Sequence, residues 1–294
     1  MEKSKVYFTK SISPESVIKI YNALGIELAG NVAVKLHSGE QGNQNFIKPE
    51  FLKAIIEHVG GTVVECNTAY SGARNSTDKH KMLMETHGWT KYFDVDIMDA
   101  EGPDMILPIK NGKRIRENYV GKNLENYDSM LVLSHFKGHP MGGYGGALKQ
   151  LSIGVASSAG KCWIHSVGKT LSQDEVWKVE VNHDEFLEAM AESAGSVAQY
   201  FGDNIVYINM MCNLSVDCDC CYIAEDPCMA DIGILAGTDP VAIDKACIDL
   251  VYHSKDKGRD YFVERVESRN GTHTIDTAAE LGIGTKDYEL ISID

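Results

Sequence analysis

Apolar residues along this chain fall into short continuous runs and into stretches with helical spacing, and the two kinds alternate. The short runs predict buried strands at residues 31–36, 62–66, 94–98, 105–109, 129–134, 205–210 and 231–236. Apolar residues spaced three and four apart predict helices at residues 14–24, 48–58, 80–87, 184–201 and 239–253. This alternation predicts an α/β fold, a mainly parallel sheet with helices on both faces.

No linker is visible between these elements, because the composition does not change abruptly anywhere along the chain. With 294 residues, the chain can bury a large core as one domain or as two lobes. We therefore expect a single unit over residues 1–294, and a division into two lobes stays open. Polar residues cluster just after the predicted strands, where α/β sheets bind ligands.

The cysteines are concentrated in one segment, since five of the eight lie within residues 212–228. The pattern C-x-C-C-x6-C is formed by Cys218, Cys220, Cys221 and Cys228. It is neither the C-x2-C pair of a zinc ribbon nor the C-x2-C-x2-C run of a bacterial ferredoxin. Asp217 and Asp219 flank the thiols, and thiolates in that negative field need a nearby cation to stay ionised. The segment favours a metal or iron–sulfur site on these four cysteines over a redox-active dithiol or inert thiols.

The expected compartment argues against disulfides. The N-terminal segment MEKSKVYF has no apolar signal region, and no stretch approaches the ~18–20 apolar residues of a membrane span. We therefore expect a cytoplasmic protein, in which disulfides are rare. The net charge of −14 argues against nucleic acid and anionic membranes as partners, because both need a basic face.

A glycine-rich segment after the strand at 129–134 is the second candidate site. Residues 134–149 read SHFKGHPMGGYGGALK, with two histidines and two lysines around five glycines. Such glycines let the backbone approach a ligand and expose N–H groups that bind anions, and a following helix start adds positive charge. The predicted anion or cofactor site comprises His135, Gly142, Gly143, Gly145, Gly146 and Lys149. His139 and Lys149 are the candidate catalytic groups, and the alternative is a turn-rich crossover whose histidines bind only backbone.

Two further loops carry candidate chemistry. His37 lies close to Glu40, and a histidine near a carboxylate suits general acid–base catalysis or metal binding. Arg74 is a candidate anion clamp that would contact the cofactor. The alternative for both loops is a solvated connection. The motifs of P-loop hydrolases, Rossmann dehydrogenases, zinc proteases and serine hydrolases are missing from the sequence.

Several motifs together resemble proteins with domain of unknown function 362, often described as Fe–S center proteins. The motifs are VAVKLHSGE, TAYSGAR, SHFKGHPMGGYGGALK, and CDCC followed by DIGILAGTDPVAIDKA. The resemblance runs from about Val32 to Asp249 and implies an iron–sulfur cluster or another thiophilic metal. Many members carry an appended ferredoxin segment with paired four-cysteine runs, and this sequence has none. A cluster here would therefore depend on Cys218, Cys220, Cys221 and Cys228.

A more distant resemblance is to the nickel-pincer lactate racemase family. Those enzymes have a histidine before a glycine-rich turn, a lysine ten residues later that links to the cofactor, and a histidine sixteen further on that ligates nickel. His139, Lys149 and His165 keep this spacing, so the resemblance implies that His165 is a metal ligand. The family's G-x-H-R motif reads G-A-R here and ends at Arg74.

The sequence thus predicts a cytoplasmic metal-binding redox protein with iron, zinc or nickel at the cysteines. Its cleft would bind an anionic small molecule or cofactor, and a redox protein could be its partner. Two alternatives stay open. One is a nickel-pincer type racemase or isomerase, and the other is a non-enzymatic metal-binding or scaffold protein.

Overall fold

The computed structural model describes residues 3–102 and 104–294. The first two residues of the N-terminal segment considered above lie outside this description. Within it, no helix combines the length and the apolar character that crossing a bilayer requires.

Twelve strands and nine helices are found in the described ranges. The strands are β1 Ser4–Thr9, β2 Val32–Lys35, β3 Thr62–Glu65, β4 Val95–Ile97, β5 Met105–Pro108, β6 Glu117–Val120, β7 Ser129–His135, β8 Lys137–His139, β9 Gly143–Gly145, β10 Ile205–Met211, β11 Gly233–Gly237 and β12 Tyr288–Ser292. The helices are α1 Pro14–Ala23, α2 Pro49–Val59, α3 Thr77–Thr86, α4 Ala147–Val155, α5 Ser158–His165, α6 His183–Phe201, α7 Pro240–Tyr252, α8 Arg259–Ser268 and α9 His273–Glu280.

Eight strands form one sheet, in the order β12-β1-β11-β10-β7-β2-β3-β4. All neighbouring pairs are parallel except those that involve β11, which runs antiparallel to both β1 and β10. The prediction of a mainly parallel α/β sheet is therefore confirmed. The chain passes from β2 outward to β4 and then returns to the other side of β2 with β7. Such a reversal opens a crevice at the carboxyl ends of the strands.

Helices cover both faces of the sheet, as predicted. One core contains side chains of α4, α6, α7, α8 and α9, and the other contains side chains of α1, α2 and α3. Neighbouring strand residues divide between the two cores. Val64 and Val132 contribute to the first, whereas Val63 and Leu131 contribute to the second. A strand buried on both faces reads as a continuous apolar run, which is why these segments were recognisable in the sequence.

Local signals fix several element boundaries. The Ser13 side chain accepts a hydrogen bond from the backbone N–H of Ser16 and caps α1, which starts with Pro14. Gly60 ends α2 in the left-handed region, at φ 60°, as expected for a helix C-terminus. Asp239 caps α7 by accepting from Val241 and Ala242.

Four features differ from the sequence prediction. Strand β1 and helix α5 were not predicted. Strand β5 pairs with β6 in a separate two-stranded sheet instead of joining the main one. The glycine-rich segment is not an open loop, because β8 and β9 pair as an antiparallel hairpin.

Candidate functional site: a thiol cluster beside a cationic cavity

Four polar residues mark the carboxyl ends of adjacent parallel strands. Lys35 ends β2, Glu65 ends β3, His135 ends β7, and Cys212 follows β10. The sheet register places these strands side by side, so the loops that follow them meet at one edge. These loops build the candidate site.

The donor atoms of His139, Cys218 and Cys220 all lie within 4.8 Å of one another. His139 Nε2 is 3.9 Å from Cys220 Sγ, and Lys149 Nζ is 3.6 Å from Cys218 Sγ. We call Cys218, Cys220 and the adjacent Cys221 the thiol cluster. The fold therefore brings the end of the glycine-rich hairpin, the start of α4 and the cysteine loop to one point.

Hydrogen bonds from distant segments hold the cysteine loop in place. Asn43 Nδ2 donates to the carbonyl oxygens of Cys218 and Cys221, at 3.3 and 3.0 Å. Arg265 donates to the Val216 carbonyl at 2.6 Å and pairs with Asp217 at 3.0 Å. The loop is thus fixed from both sides, which suits a site that must keep its thiols in a set arrangement.

The thiol cluster favours one ionised sulfur. Burial would raise the pKa of the Cys218 thiol, but the hydrogen bond with Cys220 and the nearby charge of Lys149 hold that pKa well below its usual range. The hydrogen bond to the Cys218 sulfur raises the pKa of Cys220 well above its usual value. Ionisation is therefore favoured at Cys218, whose sulfur also accepts from the Cys220 backbone N–H at 3.4 Å. A thiolate is both the metal-binding and the nucleophilic form of cysteine.

Cys228 lies outside the thiol cluster. Its sulfur donates to the Leu214 carbonyl at 3.3 Å, and burial raises the pKa of its thiol. Among the described residues, the group of close metal-ligand atoms does not include it. Of the predicted C-x-C-C-x6-C site, the structure thus brings the sulfurs of Cys218 and Cys220 together, holds Cys221 in the same turn through its backbone N–H to the Cys218 carbonyl at 2.9 Å, and leaves Cys228 apart.

Backbone contacts determine which nitrogen of His139 carries the proton. Its Nδ1 accepts hydrogen bonds from the backbone N–H groups of Met141 at 3.1 Å and Gly142 at 2.8 Å. Burial lowers the pKa of His139, so the neutral ring has its proton on Nε2, on the side of the thiols. In this form the Nε2–H of His139 is directed at the sulfurs, 3.9 Å from Cys220 Sγ. A histidine that ligates a metal through one ring nitrogen usually donates a hydrogen bond from the other. In His139 the other nitrogen, Nδ1, accepts hydrogen bonds instead.

A cavity of about 270 Å³ opens beside the thiol cluster. Its polar lining includes Lys35, His37, Glu65, Tyr70, Arg74, His139, Lys149, Lys161, His165, Cys220 and Cys221. Its apolar lining includes Ala69, Met141, Ile153 and Trp177. We call this space the site cavity. His37, Arg74, His139, Lys149 and His165 had been assigned to the site from the sequence, and all five line it.

His165 has the opposite hydrogen-bonding pattern from His139. Its Nδ1 lies 2.7 Å from the Lys161 carbonyl oxygen and must donate to it, which leaves Nε2 with a free lone pair. The ring stacks on Phe186 and meets Trp177 edge-on, with centroid distances of 5.1 and 5.3 Å. Burial lowers the pKa of His165 to about 4, so the ring is neutral near pH 7. This is the state in which a histidine binds metal or accepts a proton.

His37 and Arg74 are held by the loops around them. His37 Nδ1 accepts from the Gly39 backbone N–H at 3.1 Å, and burial, aided by the charge of Arg74, holds the pKa of His37 well below its usual value. Arg74 pairs with Glu40 at 3.2 Å and donates to the Tyr70 hydroxyl at 2.7 Å. Arg74 is therefore a neutralised, positioned side chain rather than an open anion clamp.

The glycines of the hairpin do not form the expected anion cradle, because an internal carboxylate already occupies the start of α4. Asp244 accepts from the backbone N–H groups of Ala147 at 2.7 Å and Leu148 at 3.0 Å. A Cβ atom on Gly146 would lie 2.4 Å from an Asp244 carboxylate oxygen, so glycine there makes room for this carboxylate. None of Gly142, Gly143, Gly145 and Gly146 lines the site cavity.

His135 is also placed differently from the prediction. Both ring nitrogens are used internally, Nδ1 against Asp219 at 2.9 Å and Nε2 against the Cys212 carbonyl at 2.7 Å. Lys137 pairs with the same Asp219 carboxylate at 3.0 Å. Both ring nitrogens of His135 therefore hold the cysteine loop, and its assignment to cofactor binding stays a prediction.

Sequence reasoning missed three functional candidates. Lys161 and Trp177 line the site cavity, but α5 was not predicted and neither residue stood in a recognisable motif. The signal for α5 was Ser157, whose side chain accepts from the Gly160 backbone N–H as a helix cap. Asp244 lies within the helix predicted at residues 239–253, and its contact with α4 cannot be read from the local sequence.

Comparison with known proteins gave a match to a family model and several distant structural neighbours, two of which are described below. The model described as Domain of unknown function (DUF362) matches residues 32–249. No curated protein matches this chain in sequence.

The structural neighbours are remote. The lactate racemase apoprotein from Thermoanaerobacterium thermosaccharolyticum aligns with a TM-score of 0.45 and 12% identity, covering 86% of this chain and 58% of that one. A protein from Thermotoga maritima aligns with a TM-score of 0.38 and 10% identity, covering 93% and 60%. This chain therefore spans less than two thirds of the length of both neighbours.

Proposed function

This chain belongs to the family with domain of unknown function 362, and we propose that it is a metal-dependent redox protein that uses an anionic small molecule. The thiol cluster would hold a thiophilic metal, and the site cavity would hold the anion beside it. One observation carries the proposal. Two sulfurs and an imidazole nitrogen, from His139, Cys218 and Cys220, lie within 4.8 Å at the mouth of a cavity rich in cationic side chains.

The donor set suits some metal centres better than others. Thiolates select zinc, iron or other thiophilic ions. An iron–sulfur cluster with four cysteine ligands is less favoured, because Cys228 lies outside the group. The close sulfurs of Cys218 and Cys220 leave other positions for ligands from the cavity, as in metal sites that act on substrates. A bound metal would supply Lewis-acid or redox chemistry, while His139 donates to a sulfur and Lys149 offsets negative charge.

Changing Cys218 and Cys220 together to serine is expected to remove most of the bound metal, because the thiolate and its hydrogen-bonded neighbour are both lost. Elemental analysis of anaerobically purified protein, together with the visible absorption spectrum, measures the result. Cys228→Ser is the matched control and should keep its metal. If the double variant is folded and its metal stoichiometry equals that of the unchanged protein, the thiol cluster is not the metal site.

A second candidate function is a nickel-pincer type isomerase or racemase. It is favoured by the placement of His139, Lys149 and His165 around one cavity, with the free His165 Nε2 available for a metal. In that case nickel would depend on His165 rather than on the cysteines, and intact mass would show an adduct on Lys149. His165→Ala would then lose metal while the double cysteine variant keeps it. Zinc alone, with no cavity ligand, would favour a non-enzymatic metal-binding protein.

A further inference from the structure

The site cavity contains a buried cation, Lys161, that forms no ion pair with a carboxylate of the described residues. Lys161 is 6% exposed and lines the cavity. Its ammonium donates to the Ala156 carbonyl oxygen at 2.6 Å. Among residues 3–102 and 104–294, no carboxylate oxygen lies within 4.0 Å of Lys161 Nζ, the distance that defines an ion pair. Burying an uncompensated charge is costly, so this arrangement calls for a negative group from outside the chain.

The other cations of the cavity do have internal partners. Lys35 pairs with Glu65 at 2.6 Å, and Arg74 pairs with Glu40 at 3.2 Å. Lys149 lies 3.6 Å from the Cys218 sulfur. Lys161 is therefore the group that is left to neutralise a ligand, and one such cation suits one negative charge.

The position of Lys161 also fixes the orientation of a ligand. Lys161 and His165 stand one turn apart on α5, so both side chains project from the same face of the helix into the cavity. Ala69, Ile153 and Trp177 add apolar surface to the lining. A ligand held here would place its charge on Lys161 and its carbon skeleton against these three residues.

We infer that the site cavity binds a compact organic monocarboxylate with an apolar body, and that Lys161 is the residue that anchors its carboxylate. This inference deepens the proposed function, on which it rests, by naming the chemical class of the small molecule. A phosphate ester fits less well, because a dianion would meet only one unpaired cation, the other cations of the cavity being paired within the chain. A cavity of about 270 Å³ suits an acid with a single ring or a short branched chain.

Titration with benzoate tests the inference, with benzamide as its uncharged counterpart. Trp177 lines the cavity and is half exposed, so its fluorescence reports on occupancy, and Trp177→Phe identifies its signal among the three tryptophans. We expect the protein to bind benzoate, and to bind benzamide and inorganic phosphate at least about tenfold more weakly, the loss typical of one charge-assisted hydrogen bond. Isothermal titration calorimetry gives the affinities.

Lys161→Met keeps the length of the side chain and removes the charge. We expect it to bind benzoate about tenfold or more weakly, without a lower melting temperature in the absence of ligand, because an uncompensated buried charge is removed. Lys178→Met removes an exposed charge beside Trp177 and should bind like the unchanged protein. Equal affinity for benzoate and benzamide, unchanged benzoate affinity in Lys161→Met, or no benzoate binding at all would each overturn the inference.

Metal content measured on the same preparations separates this inference from the proposed function. Lys161→Met should keep its metal, because Lys161 contacts neither a sulfur nor His139 through any hydrogen bond found among the described residues. A protein that holds metal at the thiol cluster but rejects benzoate contradicts only the ligand class. A protein that binds benzoate through Lys161 but loses no metal in the double cysteine variant contradicts only the metal site.

Discussion

Replacing Glu65 by alanine is expected to lower the free energy of unfolding by about 3–5 kcal/mol, the usual effect of leaving one member of a buried ion pair alone. The Glu65 carboxylate accepts from Lys35 Nζ at 2.6 Å, and from the backbone N–H and hydroxyl of Ser38 at 2.9 and 3.0 Å. Without it, the fully buried Lys35 ammonium keeps only the Leu36 carbonyl oxygen as a hydrogen-bond acceptor. Urea-induced unfolding followed by circular dichroism measures the change.

Two controls define the Glu65 result. Glu57→Ala breaks the exposed pair with Lys53 at 3.3 Å and should cost no more than about 0.5 kcal/mol. A double replacement, Lys35→Met with Glu65→Leu, removes both charges and should recover much of the lost stability. If Glu65→Ala costs no more than Glu57→Ala, the buried pair does not stabilise the fold.

The Glu65 carboxylate also makes the free energy of unfolding depend on pH. Burial would raise the pKa of Glu65, but the charge of Lys35 holds that pKa well below its usual range. The folded protein therefore favours the ionised form more than the unfolded chain does. The resulting stability is present above the unfolded pKa, near 4.5, and is lost as the pH falls through the lower folded value. Glu65→Ala should lack this part of the acid sensitivity, which unfolding curves at several pH values would reveal.

Replacing Asp244 by alanine is expected to destabilise the protein by a similar amount, about 3–5 kcal/mol, because several buried donors lose their acceptor at once. The carboxylate accepts from two backbone N–H groups at the start of α4. It also accepts from Asn209 Nδ2 at 2.8 Å and from the Tyr144 hydroxyl at 3.1 Å. We expect the midpoint of urea unfolding to fall sharply.

Asp260→Ala serves as the control for Asp244→Ala. Asp260 is exposed and pairs only with its neighbour Arg259, so its loss should change stability by about 0.5 kcal/mol or less. Asp244→Asn should be intermediate, because an amide oxygen still accepts while the amide nitrogen faces other donors. A small effect for Asp244→Ala would mean that water replaces the carboxylate and that the start of α4 is open to ligands.

The sheet and its helices could be predicted because their signals are local. Strand β7 has a continuous apolar run at residues 130–133, and the caps at Ser13 and Asp239 appear in the sequence beside the helices that they start. Strand β1 gave no such signal. Its residues acquire a partner only through the antiparallel β11, where Tyr7 faces Ala236. Non-local pairing of this kind leaves no pattern in a short window.

The candidate site could be predicted as a location but not as a set of contacts. The cysteines and the glycine-rich segment could be recognised in the sequence. Their proximity in the fold could not, because it involves a contact between Lys149 and Cys218, which are 69 positions apart. The helix start at Gly146 did attract a negative group, as the electrostatics of helices require. The negative group is the carboxylate of Asp244, 97 positions beyond Ala147. The presence of a negative group at this helix start could be predicted from the sequence, but the residue that supplies it could not.

The pairing of β1 also bears on how the chain folds as it is made. Ser4 and its neighbours leave the ribosome before the rest of the sheet, yet β1 lies between β11 and β12, where Ser4 faces Tyr288. Val6 and Phe8, which are buried in the folded structure, must therefore wait until β11 and β12 have been made. Closing so long a loop adds little to the equilibrium cost but delays the step. The nascent chain thus exposes the apolar side chains of β1, which chaperones can bind until β12 has been made.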